Sequence, residues 1–448
     1  MTPDEAVAAC EMAGVRLVRF LYCDNGGTIR GKATTVPRLA ERMRTGIGLT
    51  VAMSAMNSLD QLQPVPGMGP VGEVRLVPDP DTLAVLPYAP HSAAMLCDLV
   101  ALDGQPDPAG PRHFLRRMVD ALAQDGLQLR AAVENEYALA RPGPDGSFLP
   151  MDQSVCFSTV GMAAAAEVTD ALVEALAAQR IELEQYYAEL GWGQQELSVA
   201  PRPLMAAADT QLLVRETIRG VAGGFGLAAS LAPKPWPEAA GNGAHVHFSA
   251  WEGERNAFYD PGGRYGISQL AERFVAGVLA HAPGLLALTA PSVNSYRRLQ
   301  PRSWSSAYVC WGPDNREATV RVPSTFWGAE EASTNLEFKP ADASANPYLA
   351  FGGLVAAGLD GIREKLEPPA PVTVDPADLS EEERQASGAS RYPQTLADAL
   401  DALEADWLLM DALGEPLSQA YLAVRRSEVV AYSGHDDDFE FRSHFLKY

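Results

Sequence analysis

Ionisable residues recur at alternate positions inside segments that otherwise read as buried strand, and such a chain folds only if something neutralises them. In Leu127–Leu139 the run LQLRAAVENEYAL sets Glu134 and Glu136 two apart, on one face of a strand. Gln194 and Glu196 share a face in Gln194–Ala200, with Glu189 just upstream on the approach. Gly243–Trp251, GAHVHFSAW, puts His245 and His247 on one face between apolar neighbours, and NLEFKP flanks Glu337 with Leu336 and Phe338. Taken alone, a strand Glu usually lies on a solvated face, and a strand His is more often structural than a ligand. The recurrence across separate segments changes that balance. Gathered together, these residues bury several negative charges, at several kcal/mol per unpaired ion, unless divalent cations neutralise them. A mainly carboxylate set with an imidazole suits Mg2+ or Mn2+ better than zinc or copper.

A second group is cationic: Arg297 and Arg298 in NSYRRLQPRSW, Arg316 and Arg321 in DNREATVRVP, and Lys339 two residues beyond Glu337. Arg297 and Arg302 are readily explained as partners of surface carboxylates. Beside a metal site the others have a stronger reading, because metals with guanidinium groups are the usual equipment for phosphoryl transfer.

At 448 residues the chain exceeds the size at which one core usually stops growing, so a small and a large domain are expected. Val15–Cys23 and Thr28–Thr35 read as a hairpin around Asp24-Asn25-Gly26-Gly27. Further strands are expected at Glu73–Val77, Thr82–Leu86 and Ala93–Asp98. From His113–Ala123 onward helices alternate with strands, which sets the boundary near residue 105, with units 1–105 and 106–448. Helices are expected at Asn346–Glu364, Thr395–Leu413 and Glu415–Val430, and the polar Pro368–Pro393 reads as a surface excursion.

The net charge of -22, with no basic patch, argues against nucleic acid and anionic membrane as partners. No apolar run reaches the roughly 20 residues a bilayer span needs, and MTPDEAVAAC lacks the order of a signal peptide. Five scattered cysteines without a CxxC pair read as buried thiols in a reducing compartment, so a cytoplasmic location is expected.

Six segments, ENEYAL, ELGWGQQE, APKPWPEAAGNGAHVHFS, NSYRRLQP, DNREATVRVP and NLEFKPADASANPYLA, stand in an order that resembles the glutamine synthetase family in its long bacterial-type form. The resemblance covers nearly the whole chain. It implies an α+β fold, with a small N-terminal β-grasp domain and a catalytic domain whose curved antiparallel sheet lines a bifunnel. It also implies stacked rings, commonly of six subunits each, with active sites between neighbours. By the same resemblance Glu136, Glu189 and Glu196 hold a metal near the substrate, and Glu134, His245 and Glu337 hold one near the ATP phosphates. His247 and Ser249 lie with the nucleotide, and Arg316 and Arg321 contact its phosphates. Arg298 grips the glutamate carboxylate, with Gly241 and Gly243 in the loop against which that substrate lies. The implied chemistry is attack of the γ-carboxylate on ATP to give an acyl phosphate, then displacement of phosphate by an amine.

Several positions depart from a true glutamine synthetase. Asn335 and Lys339 stand where the family has arginines on either side of the metal-binding glutamate, and a lysine keeps the charge without the bidentate fork. Trp304 occupies the position of the flap glutamate that closes over ammonium. The aspartate motif for ammonium is not recognisable in LTVAMSAMNSL, although Asp60 or Glu73 offers a substitute acid from a shifted backbone. These differences resemble the branch of γ-glutamyl-amine ligases and the synthetase-like half of FluG-type proteins. Three readings follow: a ligase for an organic amine, an ammonia-using glutamine synthetase, and a synthetase-shaped assembly without catalysis. Within the first, loss of the acids implies a hydrophobic amine. An arylamine such as aniline comes first because it is neutral at pH 7, a small alkylamine next and a polyamine last.

Overall fold

The computed structural model describes all 448 residues. The expected hairpin forms as β1 (Leu17–Cys23) and β2 (Ile29–Thr35), and the Asp24 side chain closes its turn by accepting from the Thr28 N–H at 2.9 Å. With β3 (Ile47–Thr50), β4 (Glu73–Pro78), β5 (Ala84–Val85) and β6 (Ser92–Val100) it makes a sheet of order β2-β1-β6-β4-β3, β5 pairing with β6. β1 and β6 run parallel. The strand expected at Thr82–Leu86 shrinks to two residues, because the Asp79 side chain caps a tight turn at Pro80–Thr82.

The central strands of this small sheet are buried on both faces. Val18, Phe20, Met95 and Cys97 pack with Ala6, Cys10, Leu39 and Met43 of the helices Pro3–Met12 and Val36–Thr45. Leu21, Cys23, Ala94 and Leu96, at the alternate positions, join the core of the large domain. The junction is also polar, since Arg112 donates to Asp79, Asp98 and Asp209, and Tyr348 donates to Asp209 at 2.6 Å.

The large domain carries β7 (Gln128–Pro142), β8 (Phe148–Pro150), β9 (Leu183–Ala188), β10 (Gln194–Val199), β11 (Arg202–Pro203), β12 (Ala228–Ser230), β13 (Ala244–Glu252), β14 (Arg255–Asn256), β15 (Tyr308–Pro313), β16 (Ala318–Val322), β17 (Leu336–Phe338) and β18 (Ser390–Arg391). Its main path is β18-β15-β16-β17-β13-β7-β10-β9. All neighbours on it are antiparallel except β15 and β16, which run parallel and so depart from the purely antiparallel sheet expected. Helices Leu204–Gly224, Gln269–Ala280, Ala282–Thr289 and Pro347–Arg363 supply much of the core, with Leu212, Phe274, Leu286 and Leu354 buried. No single helix is long and apolar enough to cross a membrane.

Three further expectations change. Thr395–Leu413 is two helices, Leu396–Ala405 and Trp407–Leu413, because Asp406 leaves the helical conformation and its side chain caps the second at Leu409. Pro368–Pro393 is not wholly a surface excursion. Val372 and Ala389 are buried against Tyr308 and Cys310, Tyr392 enters the main core, and Ser390–Arg391 pairs with β15. Four of the five cysteines are buried, whereas Cys156 is only half-buried.

Candidate active site

Strand register assembles the ionisable residues. Tyr187 on β9 lies opposite Glu196 on β10, and Glu196 lies opposite Glu136 on β7. In the next row Glu134 pairs with His245 on β13, and beyond it His247 pairs with Glu337 on β17, itself opposite Arg321 on β16. Residues remote in sequence therefore share one face.

The Glu134 side of the site is rich in cationic partners. His247 Nε2 is 3.2 Å from Glu134 Oε1, and His245 Nδ1 is 3.5 Å from Glu134 Oε2 and 3.6 Å from Glu337 Oε1. Arg321 donates to Glu337 at 2.6 Å and Lys339 donates to it at 3.2 Å. Burial would raise the Glu337 carboxyl, but Lys339, His247, His245 and Arg321 outweigh it and bring the value to about 2. Burial acts the same way on Glu134, where His247 and His245 hold the carboxyl well below the usual range. Burial would lower His247, yet Glu134 and Glu337 push it up to about 9, while burial and then Lys339 lower His245. Glu134, His247 and Glu337 bring one ligand atom each to within 4.8 Å of one another. The histidine in this trio is His247, whereas the resemblance implies His245, which lies beside the same two carboxylates.

The Glu196 side has no such company. Neither lysine nor arginine pairs with Glu136, Glu189 or Glu196, and only His245 approaches Glu136, at 3.5 Å. Glu196 accepts from Tyr187, and Glu136 accepts from Gln194 Nε2 and from the Gly243 N–H, each at 2.9 Å. Burial and then the neighbouring Glu136 and Glu134 raise Glu196 well above its usual value, and burial with Glu136 raises Glu189. Carboxylates that lie together without a lysine or arginine partner fit a hard divalent cation.

Gly241 and Gly243 are required for close approach. A Cβ on Gly241 would meet Pro233 O at 2.3 Å, and one on Gly243 would meet His245 Nε2 at 2.5 Å and Arg298 Nη2 at 2.6 Å. Arg298 is buried and donates to the carbonyls of Lys339, Pro340 and Ala341, with Nη2 also 3.3 Å from His245 Nε2. Ser249, on the face of His247, accepts from Trp251 Nε1 at 2.8 Å. Arg316 is exposed in the turn after β15 and pairs with no carboxylate. Trp304 is 59% exposed, holds φ +53°, and its N–H donates to Glu317 at 2.6 Å.

Both substitute acids are otherwise engaged. Asp60 pairs with Arg30 at 2.8 Å and Glu73 with Arg75 at 2.9 Å. Sequence reasoning missed Tyr187, although QYYAE places it two residues before Glu189 and hence on the strand face that the carboxylates share. It also missed Asn242, whose Oδ1 accepts from Gln194 at 3.0 Å, and no spacing signal marks that residue.

Two family descriptions match the chain: the glutamine synthetase N-terminal domain over residues 2–107 and the glutamine synthetase catalytic domain over residues 108–444. A gamma-glutamylpolyamine synthetase of Streptomyces coelicolor is 38% identical over 97% of this chain and 94% of its own length. The glutamine synthetase of Thermotoga maritima is 31% identical over 99% of each chain. Among solved structures, a glutamine synthase homolog superposes with a TM-score of 0.86 at 37% identity, covering 97% of this chain and 99% of its own. A GmaS complex with ADP also gives 0.86, at 28% identity and 98% coverage of both chains.

Proposed function

The chain belongs to the glutamine synthetase family and is an ATP-dependent glutamate–amine ligase, and we propose that its amine is organic and hydrophobic and that the reaction runs through γ-glutamyl phosphate. The amine reading is supported by the lack of an acid at the flap position itself, the adjacent Glu317 being buried and accepting from the Trp304 N–H. Trp304 is exposed at the flap position, and Asp60 and Glu73 are each held by an arginine. An amine that arrives protonated needs a carboxylate to attract it and a base to strip it, whereas an arylamine is already neutral at pH 7.

In this reading Gly241, Gly243 and Arg298 position glutamate, and Glu136, Glu189 and Glu196 face it. Glu134, His245 and Glu337, with His247, lie toward the ATP phosphates, where Arg321, Arg316 and Lys339 meet the negative oxygens, and Ser249 lies with the nucleotide. Mg2+ or Mn2+ bound by these two sets would neutralise charge on the phosphates and the reacting carboxylate. The γ-carboxylate oxygen forms a bond to the terminal phosphorus as the bond to ADP breaks. The amine nitrogen then attacks the acyl carbon, phosphate leaves, and the nitrogen sheds its proton. Assembly into stacked rings, with sites between subunits, belongs to the same proposal. Sedimentation tests it, and a monomer that stays active on dilution would refute it.

Likeness to a polyamine synthetase favours a second reading, in which the amine is a diamine or polyamine. A screen of glutamate-dependent phosphate release from ATP with ammonium, isopropylamine, aniline and putrescine separates the two.

A further inference from the structure

Beside Glu189 the surface turns apolar. Val155, Phe157, Val160 and Leu190 are 76%, 62%, 69% and 54% exposed, and the stretch from Gln153 to Ala166 contains no charged residue. Exposed apolar side chains scattered singly need no explanation, but a group at the rim of a polar site does. This group is tied directly to the carboxylates. The Phe157 N–H donates to Ala188 O at 2.9 Å, and its ring meets that of Tyr187 edge-on with centroids 5.2 Å apart. Tyr187 in turn donates to Glu196. The Leu190 N–H donates to Glu189 Oε2 at 2.7 Å, and Cys156 Sγ lies 3.7 Å from the same oxygen. Phe157 also holds φ +57°, a conformation bulky residues rarely adopt and one that accumulates at functional sites.

We propose that Phe157, with Val160 and Leu190, is the wall that receives the hydrocarbon part of the amine, so that Phe157 determines specificity. The inference rests on the organic-amine reading above and adds to it the surface that reads the substituent. Ammonium gains nothing from such a wall. A diamine brings a second ammonium group against apolar side chains, since the stretch from Gln153 to Ala166 itself carries no carboxylate.

The test compares wild type with Phe157→Ala, Phe157→Leu and Phe157→Asp at saturating glutamate, ATP and Mg2+, using ammonium, isopropylamine, aniline and putrescine. Phe157→Ala is expected to lower kcat/KM for isopropylamine and aniline about tenfold through KM, the scale of losing hydrophobic contact with a substituent. The loss with ammonium is expected to be several-fold smaller than with either hydrophobic amine, Phe157→Leu retains most of the activity, and Phe157→Asp shifts preference toward putrescine. An equal loss for every amine, with or without a change in solution mass, would overturn the proposal. A wild type that prefers ammonium refutes the organic-amine reading, whereas a preference for isopropylamine or aniline that Phe157→Ala leaves intact overturns this inference alone.

Discussion

His247 Nδ1 lies 2.9 Å from Asn335 Oδ1, which leaves Nε2 of the same ring facing Glu134 Oε1 at 3.2 Å. The Asn335 amide also donates to Ser333 O at 3.0 Å, so its carbonyl is fixed toward the imidazole. Without metal the ring is charged against Glu134, and a divalent cation would have to displace the Nε2 proton while Asn335 keeps the Nδ1–H in place. Asn335 thus sets the orientation of the His247 ring.

Asn335→Ala is expected to weaken Mn2+ binding about 10-fold to 100-fold, the usual cost of losing the partner that orients a histidine ligand. Titration calorimetry with Mn2+ measures it. Unchanged affinity would show that His247 needs no support from Asn335.

Glu196→Gln separates stability from activity. Burial, then Glu136 and Glu134, raise the Glu196 carboxyl above its unfolded value, so in the metal-free protein its charged form opposes folding once pH exceeds that unfolded value. The variant should melt at a higher temperature than metal-free wild type at pH 8, while turnover falls by about 100-fold or more. Calorimetry without metal, paired with phosphate release, gives both numbers. Glu136→Ala should likewise abolish turnover and leave a folded protein.

Trp304→Glu returns a carboxylate to the flap position and is expected to raise kcat/KM for ammonium while lowering that for aniline. Steady-state rates with both amines decide it, and no gain with ammonium would assign Trp304 to packing.

The ligand set is legible in sequence because a period of two fixes the face of each strand residue, which is why Glu134 with Glu136, and His245 with His247, stand out. The alignment of Tyr187, Glu196 and Glu136 in one row is not legible, since it depends on the register of segments far apart in the chain. Helical periodicity runs through Asp406 without interruption, and only its side-chain cap reveals that the helix breaks there. Polar composition hides the contribution of Pro368–Pro393, where burial is confined to a few residues such as Val372 and Tyr392.

His281, at the break between Gln269–Ala280 and Ala282–Thr289, bridges two acids: its Nδ1 is 2.8 Å from Asp406 and its Nε2 is 3.1 Å from Asp360. Burial would lower its pKa, but Asp406 and Asp360 raise it above 6.5. The charged pairings are fully present below that unfolded value and are lost as pH rises through the higher folded value. The melting-temperature difference between wild type and His281→Gln should therefore be larger at pH 5.5 than at pH 9, corresponding to about 1 kcal/mol after allowance for solvent screening. A difference independent of pH would contradict it.

Preference for an organic amine is read from kcat/KM for ammonium, isopropylamine, putrescine and aniline under one set of glutamate, ATP and Mg2+ concentrations. Isopropylamine or aniline exceeding ammonium by about tenfold or more is the predicted result, and ammonium as the best of the four would contradict it.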